Sequence, residues 1–320
     1  VTLTITDSTE GAYVCTITFT DTATNAASAL TLTSFTLDTS VATPSETTAV
    51  STPTNDATPD VVITTTQAGT IAVAGTSGCG LSSTATMASG ANTVTLTITD
   101  STEGAYVCTI TFTDSAGNAA SALTLTSFTI DTSVATPSET TAVSTPTKDT
   151  SPDVVITTTQ AGTIVVAGTT GCAIGSANVV SGQQTLTLTT ITAGDGAYVC
   201  TITFTDSAGN AASALTLTSF TLDTTVATPS ETTVVSTPTN DATPDVVITT
   251  TEAGTIAVAG TSGCGLSSTA TMTSGANTVT LTITDSTEGA YVCTITFTDT
   301  ATNAASALTL TSFTLDTSVA

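Results

Sequence analysis

The eleven-residue string GAYVCTITFTD occurs four times in this chain, and its spacing constrains the architecture. The four copies contain Cys15, Cys108, Cys200 and Cys293. Successive copies are therefore 93, 92 and 93 residues apart, a period that indicates one structural unit repeated along the chain. The period predicts the C-terminal part of a truncated repeat at residues 1–42, followed by whole repeats at residues 43–134, 135–226 and 227–320.

A longer segment of sequence also recurs in the chain. Residues 1–42 are identical to residues 279–320, at an offset of 278 residues that equals three repeats. This offset predicts a three-repeat unit that recurs in a longer protein. Near-identical neighbours indicate recent duplication and selection for length. They are poor material for a catalytic site, which needs one distinct arrangement of side chains.

Residues 43–134 show the pattern of one repeat. Apolar and polar residues alternate in short segments separated by turn residues, which is typical of β-strands. The predicted strands are 48–54, 61–66, 70–75, 82–87, 92–99, 105–113 and 121–130. In the last of them two leucines are out of phase with Phe128 and Ile130, so a bulge near Ser127 is expected. Seven short strands without a helical period predict an all-β fold of tandem, seven-stranded β-sandwiches.

The sixth predicted strand carries a family resemblance. Its apolar face contains Tyr106, Cys108, Ile110 and Phe112. A Tyr two residues before a Cys resembles the F strand of immunoglobulin domains, where it forms the tyrosine corner. Together with the segments TDSAGNAAS and SFTIDTSVATP, the repeat is similar to the bacterial Ig-like repeats of giant surface proteins and adhesins. The second strand has Val or Ile where the immunoglobulin disulfide partner would lie, so the disulfide is expected to differ from the antibody pattern.

Each whole repeat contains two cysteines that are 28 or 29 residues apart. We predict one disulfide in each repeat, between the loop after the third strand and the sixth strand. The pairs are Cys79 with Cys108, Cys172 with Cys200, and Cys264 with Cys293. A zinc site is the alternative, but the chain has no His and no CxxC motif. Disulfides predict an extracellular location, and the partner of Cys15 is expected before residue 1.

Acidic residues and amides recur near the predicted ends of the repeats. The resemblance to bacterial Ig-like stalks implies calcium at the joints between repeats, and Ca²⁺ takes oxygen ligands of this kind. The candidate calcium ligands at one junction are Asp114, Asn118, Asp131, Asp149 and Asp153. The alternative is that these residues only form turns, because Asp-x-x-Gly-Asn is also a turn sequence. No other cofactor is predicted.

The charge of the chain excludes several classes of function. It has 25 acidic residues, one basic residue (Lys148) and no His, which gives a net charge of −24. Nucleic acid is not an expected partner, because its phosphates are bound by Lys and Arg. No apolar stretch is long enough for membrane insertion in this segment. A Ser or Cys nucleophile would need Lys148 as its base, and this residue occurs in one repeat only. We therefore predict that the protein is not an enzyme.

The sequence favours a structural role at the cell surface. The first hypothesis is an extracellular stalk whose tandem repeats extend a surface adhesin from the cell. Its partners would be neighbouring repeats or copies of itself, with a surface receptor bound through a part outside this sequence. The alternative is a subunit of a self-assembling extracellular filament or fibre. A third candidate is an ice- or carbohydrate-binding module on the Thr-rich strand faces, although such faces are typical of the solvated side of a sheet.

Residues 1–42 supply only the last three strands of a predicted sandwich. Alone they would expose residues that belong to a core. These residues are Leu3, Ile5, Ile17, Phe19, Leu30 and Phe35. The missing strands either precede them in a longer chain or come from another chain by strand addition. The three-repeat identity favours the first alternative.

Overall fold

The structure, a computed structural model, confirms the all-β prediction, because strands are its regular secondary structure throughout the described residues. Those residues are 1–7, 9–74, 78–82, 86–100, 102–166, 171–174, 177–189, 194–258, 263–267, 271–285 and 287–318. None of these segments is a helix with the length and hydropathy that crossing a lipid bilayer requires. The chain divides into two compact units, residues 1–133 with 207–210 and residues 134–206 with 211–320. The predicted limits of the four repeats stay a prediction.

The first unit contains strands from residue 11 onward. In residues 1–42 they are β1 (Gly11–Tyr13), β2 (Thr16–Ile17), β3 (Leu30–Thr31) and β4 (Phe35–Leu37). In residues 43–133 they are β5 (Ser45–Thr48), β6 (Asp60–Thr65), β7 (Gly69–Ala74), β8 (Cys79–Leu81), β9 (Thr86–Met87), β10 (Gly90–Ile98), β11 (Gly104–Tyr106), β12 (Thr109–Asp114), β13 (Leu123–Thr124) and β14 (Phe128–Ile130).

Residues 43–133 form two four-stranded antiparallel sheets. One has the order β5-β6-β10-β8 and the other β13-β12-β7-β9, and the short ribbon β11-β14 completes the repeat. Both sheets contribute to a single hydrophobic cluster, as expected for a sandwich. The alternation of β10 explains the packing, because Val94, Leu96 and Ile98 are buried while the intervening Thr residues are partly exposed.

The glycine that begins β7 has a packing reason. Gly69 pairs with Asp114 in β12, and the ring of Phe112 lies against its Cα. A Cβ at residue 69 would lie 2.2 Å from the Thr113 carbonyl oxygen and 2.7 Å from the Phe112 ring. The same close approach recurs at Gly162 and Gly254. Phe112 itself is 1% exposed, so this glycine allows a large core side chain to fit between the sheets.

The last two predicted strands are each divided in two. The predicted strand 105–113 becomes β11, which pairs with β14, and β12, which pairs with β7 and β13. The predicted strand 121–130 becomes β13 and β14, with a break where a bulge near Ser127 was expected. At this break the chain moves from pairing with β12 to pairing with β11. The change of partner keeps Leu125, Phe128 and Ile130 all buried.

Two other predicted strands have wrong bounds. The first strand lies at Ser45–Thr48 rather than 48–54, and Thr54 forms only an isolated parallel bridge with Ile130. The predicted fourth strand, 82–87, is present as β9 at its C-terminal end, and its residues 83–85 lie outside the described residues. Residue 75, at the end of the predicted third strand, also lies outside them. The sequence missed β8, which has only three residues and therefore too little alternation to be recognised; it pairs with the end of β10.

The second unit repeats this order twice, except that its first set has no counterpart of β8 among the described residues. Its first set of strands is β15 (Ser138–Thr141), β16 (Asp153–Thr158), β17 (Gly162–Val166), β18 (Ala177–Val179), β19 (Gly182–Thr187), β20 (Gly196–Tyr198), β21 (Thr201–Asp206), β22 (Leu215–Thr216) and β23 (Phe220–Leu222). Its second set is β24 (Ser230–Thr233), β25 (Asp245–Thr250), β26 (Gly254–Val258), β27 (Cys264–Leu266), β28 (Thr271–Met272), β29 (Gly275–Ile283), β30 (Gly289–Tyr291), β31 (Thr294–Asp299), β32 (Leu308–Thr309) and β33 (Phe313–Leu315). Each set surrounds its own hydrophobic cluster.

A disulfide and a tyrosine corner hold the divided strand of each repeat. The disulfides are Cys79–Cys108, Cys172–Cys200 and Cys264–Cys293. The Tyr106 hydroxyl donates to the carbonyl oxygen of Thr102 at 2.8 Å, four residues upstream. Tyr291 makes the same contact with Thr287 at 2.6 Å. The hydrogen bond back to the nearby backbone is the feature that defines a tyrosine corner.

The disulfides predict how the chain extends under force. Residues between Cys79 and Cys108 cannot extend while the disulfide is intact. The two cysteines are 29 residues apart, and each extended residue spans roughly 3.6 Å. Reduction should therefore lengthen the unfolding step of each repeat by about 100 Å. Single-molecule pulling with and without a reductant measures this difference. Replacing Cys79 and Cys108 together by Ser should give one long step without reductant. Identical step lengths in the wild type under both conditions would contradict the disulfides.

Candidate functional site

A buried aspartate organises the turn that follows β12. The Asp114 carboxylate accepts hydrogen bonds from the backbone N–H of Ala116 at 2.9 Å and of Asn118 at 2.8 Å. The Asn118 side-chain amide donates to the same carboxylate at 2.8 Å. These donors, the Asn118 side chain foremost, lower the pKa of Asp114 because they stabilise its charged form. Asp206 and Asp299 are buried at the equivalent positions.

The turn needs one residue in the left-handed region of backbone conformation. Gly117 and Gly209 adopt it with φ values of 93° and 95°. Thr302 holds the same position with φ 71°, an uncommon conformation for a β-branched residue. Its carbonyl oxygen accepts a hydrogen bond of 2.8 Å from the Lys148 ammonium group. The sequences DSAGN and DTATN thus form the same turn, and only the second carries this backbone cost.

The Asn at the end of the turn joins it to the segment that precedes the repeat. The Asn118 amide donates to the Asp38 carbonyl oxygen at 3.1 Å. Asn210 and Asn303 donate to the carbonyl oxygens of Asp131 and Asp223, each at 2.8 Å. These three contacts, which we call the joint amides, connect residues 79 or 80 positions apart. At each joint, therefore, the same hydrogen bond joins an Asn side-chain amide to an Asp carbonyl oxygen.

The first joint carries a second amide. Gln67 follows β6 by two residues, and its side-chain amide donates to the Asp38 carboxylate at 3.0 Å. This neutral donor satisfies one acidic group of the joint without introducing charge. The sequence has Gln again at residue 160, but Glu at residue 252.

The change from Gln to Glu creates a group of three carboxylates, Asp223, Glu252 and Asp299, which we call the acidic joint. One ligand oxygen from each lies within 4.8 Å of the other two. The Glu252 Oε2 atom is buried and has no hydrogen-bond partner among the described residues. Burial first, and then the charges of Asp223, Asp299 and Asp195, raise the pKa of Glu252 above its ordinary value.

The five residues predicted to bind calcium have separate local partners. Asp114 and Asn118 lie together in the turn after β12. Asp131 accepts the joint amide of Asn210 through its carbonyl oxygen. Asp149 accepts from the Ser151 backbone N–H at 2.9 Å, and Asp153 accepts from the Thr187 hydroxyl at 2.7 Å. Binding of calcium by this set stays a prediction.

Sequence reasoning missed the acidic joint. The signal was present, because residue 252 is the one position of the TTTQAG segment at which the repeats differ in charge. The difference has chemical meaning only beside Asp223 and Asp299, and these residues are far from it in sequence. Three carboxylates without a described cationic partner can either take up a proton or bind a hard divalent cation such as Ca²⁺.

Residues 40–132 match the family model of the bacterial Ig-like domain. The match includes the tyrosine corner and the disulfide of the first whole repeat, and the segment GAYVCTITFTD within it recurs in the following repeats. The match confirms, for residues 40–132, the resemblance that the sequence of the sixth strand indicates.

Several solved structures are similar at low identity. The D00–D0 domain of intimin is 15% identical and covers 53% of this chain and 98% of its own, with a TM-score of 0.24. InvD of Yersinia pseudotuberculosis is 18% identical and covers 82% of this chain and 95% of its own, with a TM-score of 0.29. The FN1–FN3 domains of chicken CNTN1 are 10% identical over 86% of this chain and 99% of theirs, with a TM-score of 0.30. Similarity at this level establishes no function. Curated protein sequences gave no match.

The raised pKa of Glu252 predicts a pH-dependent loss of stability. The folded state holds the Glu252 proton more tightly than the unfolded state, so stability falls as pH rises from about 4.3 to the raised pKa of the folded state. In the presence of a chelator, Glu252→Gln should be more stable than the wild type at pH 7, and the difference should shrink toward pH 4. Urea unfolding at a series of pH values measures it.

Glu288→Gln is the matched control for this experiment. It removes the same charge outside the acidic joint and keeps an oxygen that can accept from Thr317. It should not reproduce the gain in stability at pH 7. If both variants changed stability in parallel at every pH, the effect would come from net charge and not from the acidic joint.

Proposed function

We propose that this protein is a structural, extracellular stalk whose tandem Ig-like repeats extend a surface adhesin from the cell. The observation that carries the proposal is the repetition of one closed building block. Each whole repeat surrounds its own hydrophobic cluster and contains its own disulfide. Units that fold around separate cores can be added or removed without disturbing the others, so that the number of units sets the length.

The joint amides support this role. Asn118, Asn210 and Asn303 each bind the residue that precedes their repeat in the same manner. A contact that recurs at each joint gives every repeat the same attachment to its predecessor. Such regularity serves a spacer, whereas a catalytic protein needs one distinct arrangement of reactive side chains. We propose on this basis that the chain is not an enzyme.

An extracellular position at the cell surface follows from the same features. Disulfides persist in oxidising compartments and are rare in the cytosol. A net charge of −24 keeps a long array soluble and discourages unspecific association. The family of residues 40–132 is bacterial, so we place the stalk on a bacterial cell. The receptor would be bound by a part of the protein other than these repeats.

Calcium binding at the joints is a second proposal. Asp223, Glu252 and Asp299 offer only oxygen ligands, which suit Ca²⁺, and the unpartnered Glu252 oxygen leaves an acceptor to be satisfied. Calcium should therefore reverse the order of stability, making the wild type more stable than Glu252→Gln at pH 7. Calorimetric titration with CaCl₂ should show heat for the wild type that the variant lacks. Equal heats would exclude the acidic joint as the site and leave the sequence-predicted set Asp114, Asn118, Asp131, Asp149 and Asp153 to be tested.

Electron microscopy of the native material tests the stalk against the filament. A stalk should appear as single beaded strings with one bead for each repeat. If calcium stiffens the acidic joint, a chelator should make that joint of the wild-type strings more flexible and leave Glu252→Gln unchanged. Regular bundles of several chains, indifferent to the chelator, would instead support the self-assembling filament and contradict the proposed stalk.

A further inference from the structure

In each whole repeat, the segment through which the chain enters lies beside the segment through which it leaves. In residues 43–133 the entering segment begins with β5, and the leaving segment contains β13 and β14. Thr54 and Ile130 form a parallel bridge between the two. The Thr54 N–H donates to the Thr129 carbonyl oxygen, and the Asp131 N–H donates to the Thr54 carbonyl oxygen, each at 3.0 Å. The two segments therefore run in the same direction.

Two side chains of the entering segment extend this contact. The Glu46 Oε2 atom accepts hydrogen bonds from the Thr126 N–H and from the Thr126 hydroxyl, both at 2.7 Å. The Thr52 hydroxyl oxygen accepts from the Thr129 N–H at 3.0 Å. Residue numbers rise together along both segments, so the parallel course extends from Glu46 to the bridge. We call these contacts of Glu46, Thr52 and Thr54 with the leaving segment the end clamp.

The other whole repeats contain the same end clamp. Each has a glutamate that accepts from a Thr N–H, a Thr hydroxyl that accepts from a second Thr N–H, and a parallel bridge. The pairs are Glu139 with Thr218, Thr145 with Thr221 and Thr147 with Leu222 in the second whole repeat, and Glu231 with Thr311, Thr237 with Thr314 and Thr239 with Leu315 in the third. The end clamp is therefore a part of the repeating unit.

The carboxylate of the end clamp lies where water has little access. The Oε1 atoms of Glu46, Glu139 and Glu231 are buried and have no hydrogen-bond partner among the described residues. Burial of an unpaired oxygen costs free energy. It also places the bonds to Oε2 in surroundings of low dielectric, where bonds to a charged acceptor are strong. The end clamp thus combines strong hydrogen bonds with a local cost in stability.

We propose that the end clamp has a mechanical function and makes each whole repeat resist tension along the chain. Force reaches a repeat through its two ends. It pulls the entering segment toward the N-terminus and the leaving segment toward the C-terminus. Because the segments are parallel, these pulls are opposite along one axis and load all the hydrogen bonds of the end clamp together. Bonds that must break together resist more force than bonds that break one after another.

A second glutamate makes similar bonds that are loaded differently. The Glu103 Oε1 atom accepts from the N–H and the hydroxyl of Thr132, both at 3.1 Å. Thr132 follows β14, and β14 is antiparallel to β11. Tension on Thr132 therefore opens this contact before it reaches the ladder or the end clamp. In the third whole repeat, Glu288 accepts from Thr317 in the same way.

The biological use of the end clamp rests on the proposed stalk, because a stalk transmits the pull between an adhesin and its cell. The two proposals fail separately. Bundled filaments in the electron microscope would contradict the stalk and leave the end clamp in place. Repeats whose resistance to force does not depend on Glu46 would contradict the end clamp and leave the stalk in place.

The test holds the whole chain, with its disulfides intact, at a constant force and measures the rate at which each repeat unfolds. Glu46→Ala combined with Glu231→Ala should make two whole repeats unfold about 10-fold faster at the same force. This is the low end of the effect of bonds to a charged group, because the substitution also removes the unpaired oxygen. The second whole repeat keeps Glu139 and should unfold at the wild-type rate.

Glu103→Ala combined with Glu288→Ala is the matched control. It removes the same number of charges and the same kind of hydrogen bond from the same two repeats. Its contacts are already open before a loaded repeat unfolds, so the unfolding rate under force should stay near that of the wild type. Urea unfolding without force measures the equilibrium stability of both double variants. The stability lost by the control should appear in urea only, whereas that lost by the end-clamp variant should also appear under force.

Thr52→Val combined with Thr237→Val tests the end clamp if the alanine variant does not fold. It removes only the hydroxyl that accepts from Thr129 or Thr314 and keeps the size of the side chain. It should also accelerate unfolding under force in two of the whole repeats. Equal acceleration by the end-clamp variants and the control, or no acceleration by either, would overturn the proposal.

Discussion

In each whole repeat a buried phenylalanine ring packs against the glycine backbone of a neighbouring strand, between two Thr-rich sheets. Phe112, Phe204 and Phe297 are 1% exposed and lie against a glycine of the neighbouring strand. With 4% aromatic residues and no Trp in the chain, the core has few large side chains with which to fill its volume. In the observed register of β7 and β12, in which Gly69 lies opposite Asp114, only a residue without a Cβ leaves room for the Phe112 ring. The rest of the core is aliphatic and follows from the alternation of these strands.

The strand that is divided into β11 and β12 carries the disulfide, the tyrosine corner and the polar turn at the edge of this core. Between β11 and β12 the chain changes sheets, and the change is fixed by a disulfide on one side and a tyrosine corner on the other. The end of β12 then presents a buried Asp whose turn points its Asn toward the preceding segment. One continuous stretch of about fifteen residues thus carries the core, the covalent link and the joint. This explains how near-identical repeats can form near-identical joints.

The acidic joint shows how little sequence is needed to make one repeat different. Gln67 donates a hydrogen bond to the Asp38 carboxylate and adds no charge, whereas Glu252 adds a third carboxylate beside Asp223 and Asp299. The surrounding strands are the same in both repeats. A single exchange of an amide for a carboxylate therefore converts a satisfied polar contact into a group that can respond to protons or cations, while the fold stays as it is.

The sequence by itself determined the period, the all-β class, the inward faces of the strands at 92–99 and 105–113, and the cysteine pairs, because alternation and spacing are local properties. It did not determine where the sixth and seventh strands break, since the break depends on which sheet offers a free edge. It placed the first strand of the repeat at 48–54, too late in the sequence. The strand is Ser45–Thr48, and Thr54 forms only an isolated bridge. Only the tertiary structure decided that Asp223, Glu252 and Asp299 meet. This outcome depends on which distant segments pack against one another, and a residue's own neighbours in sequence do not specify that.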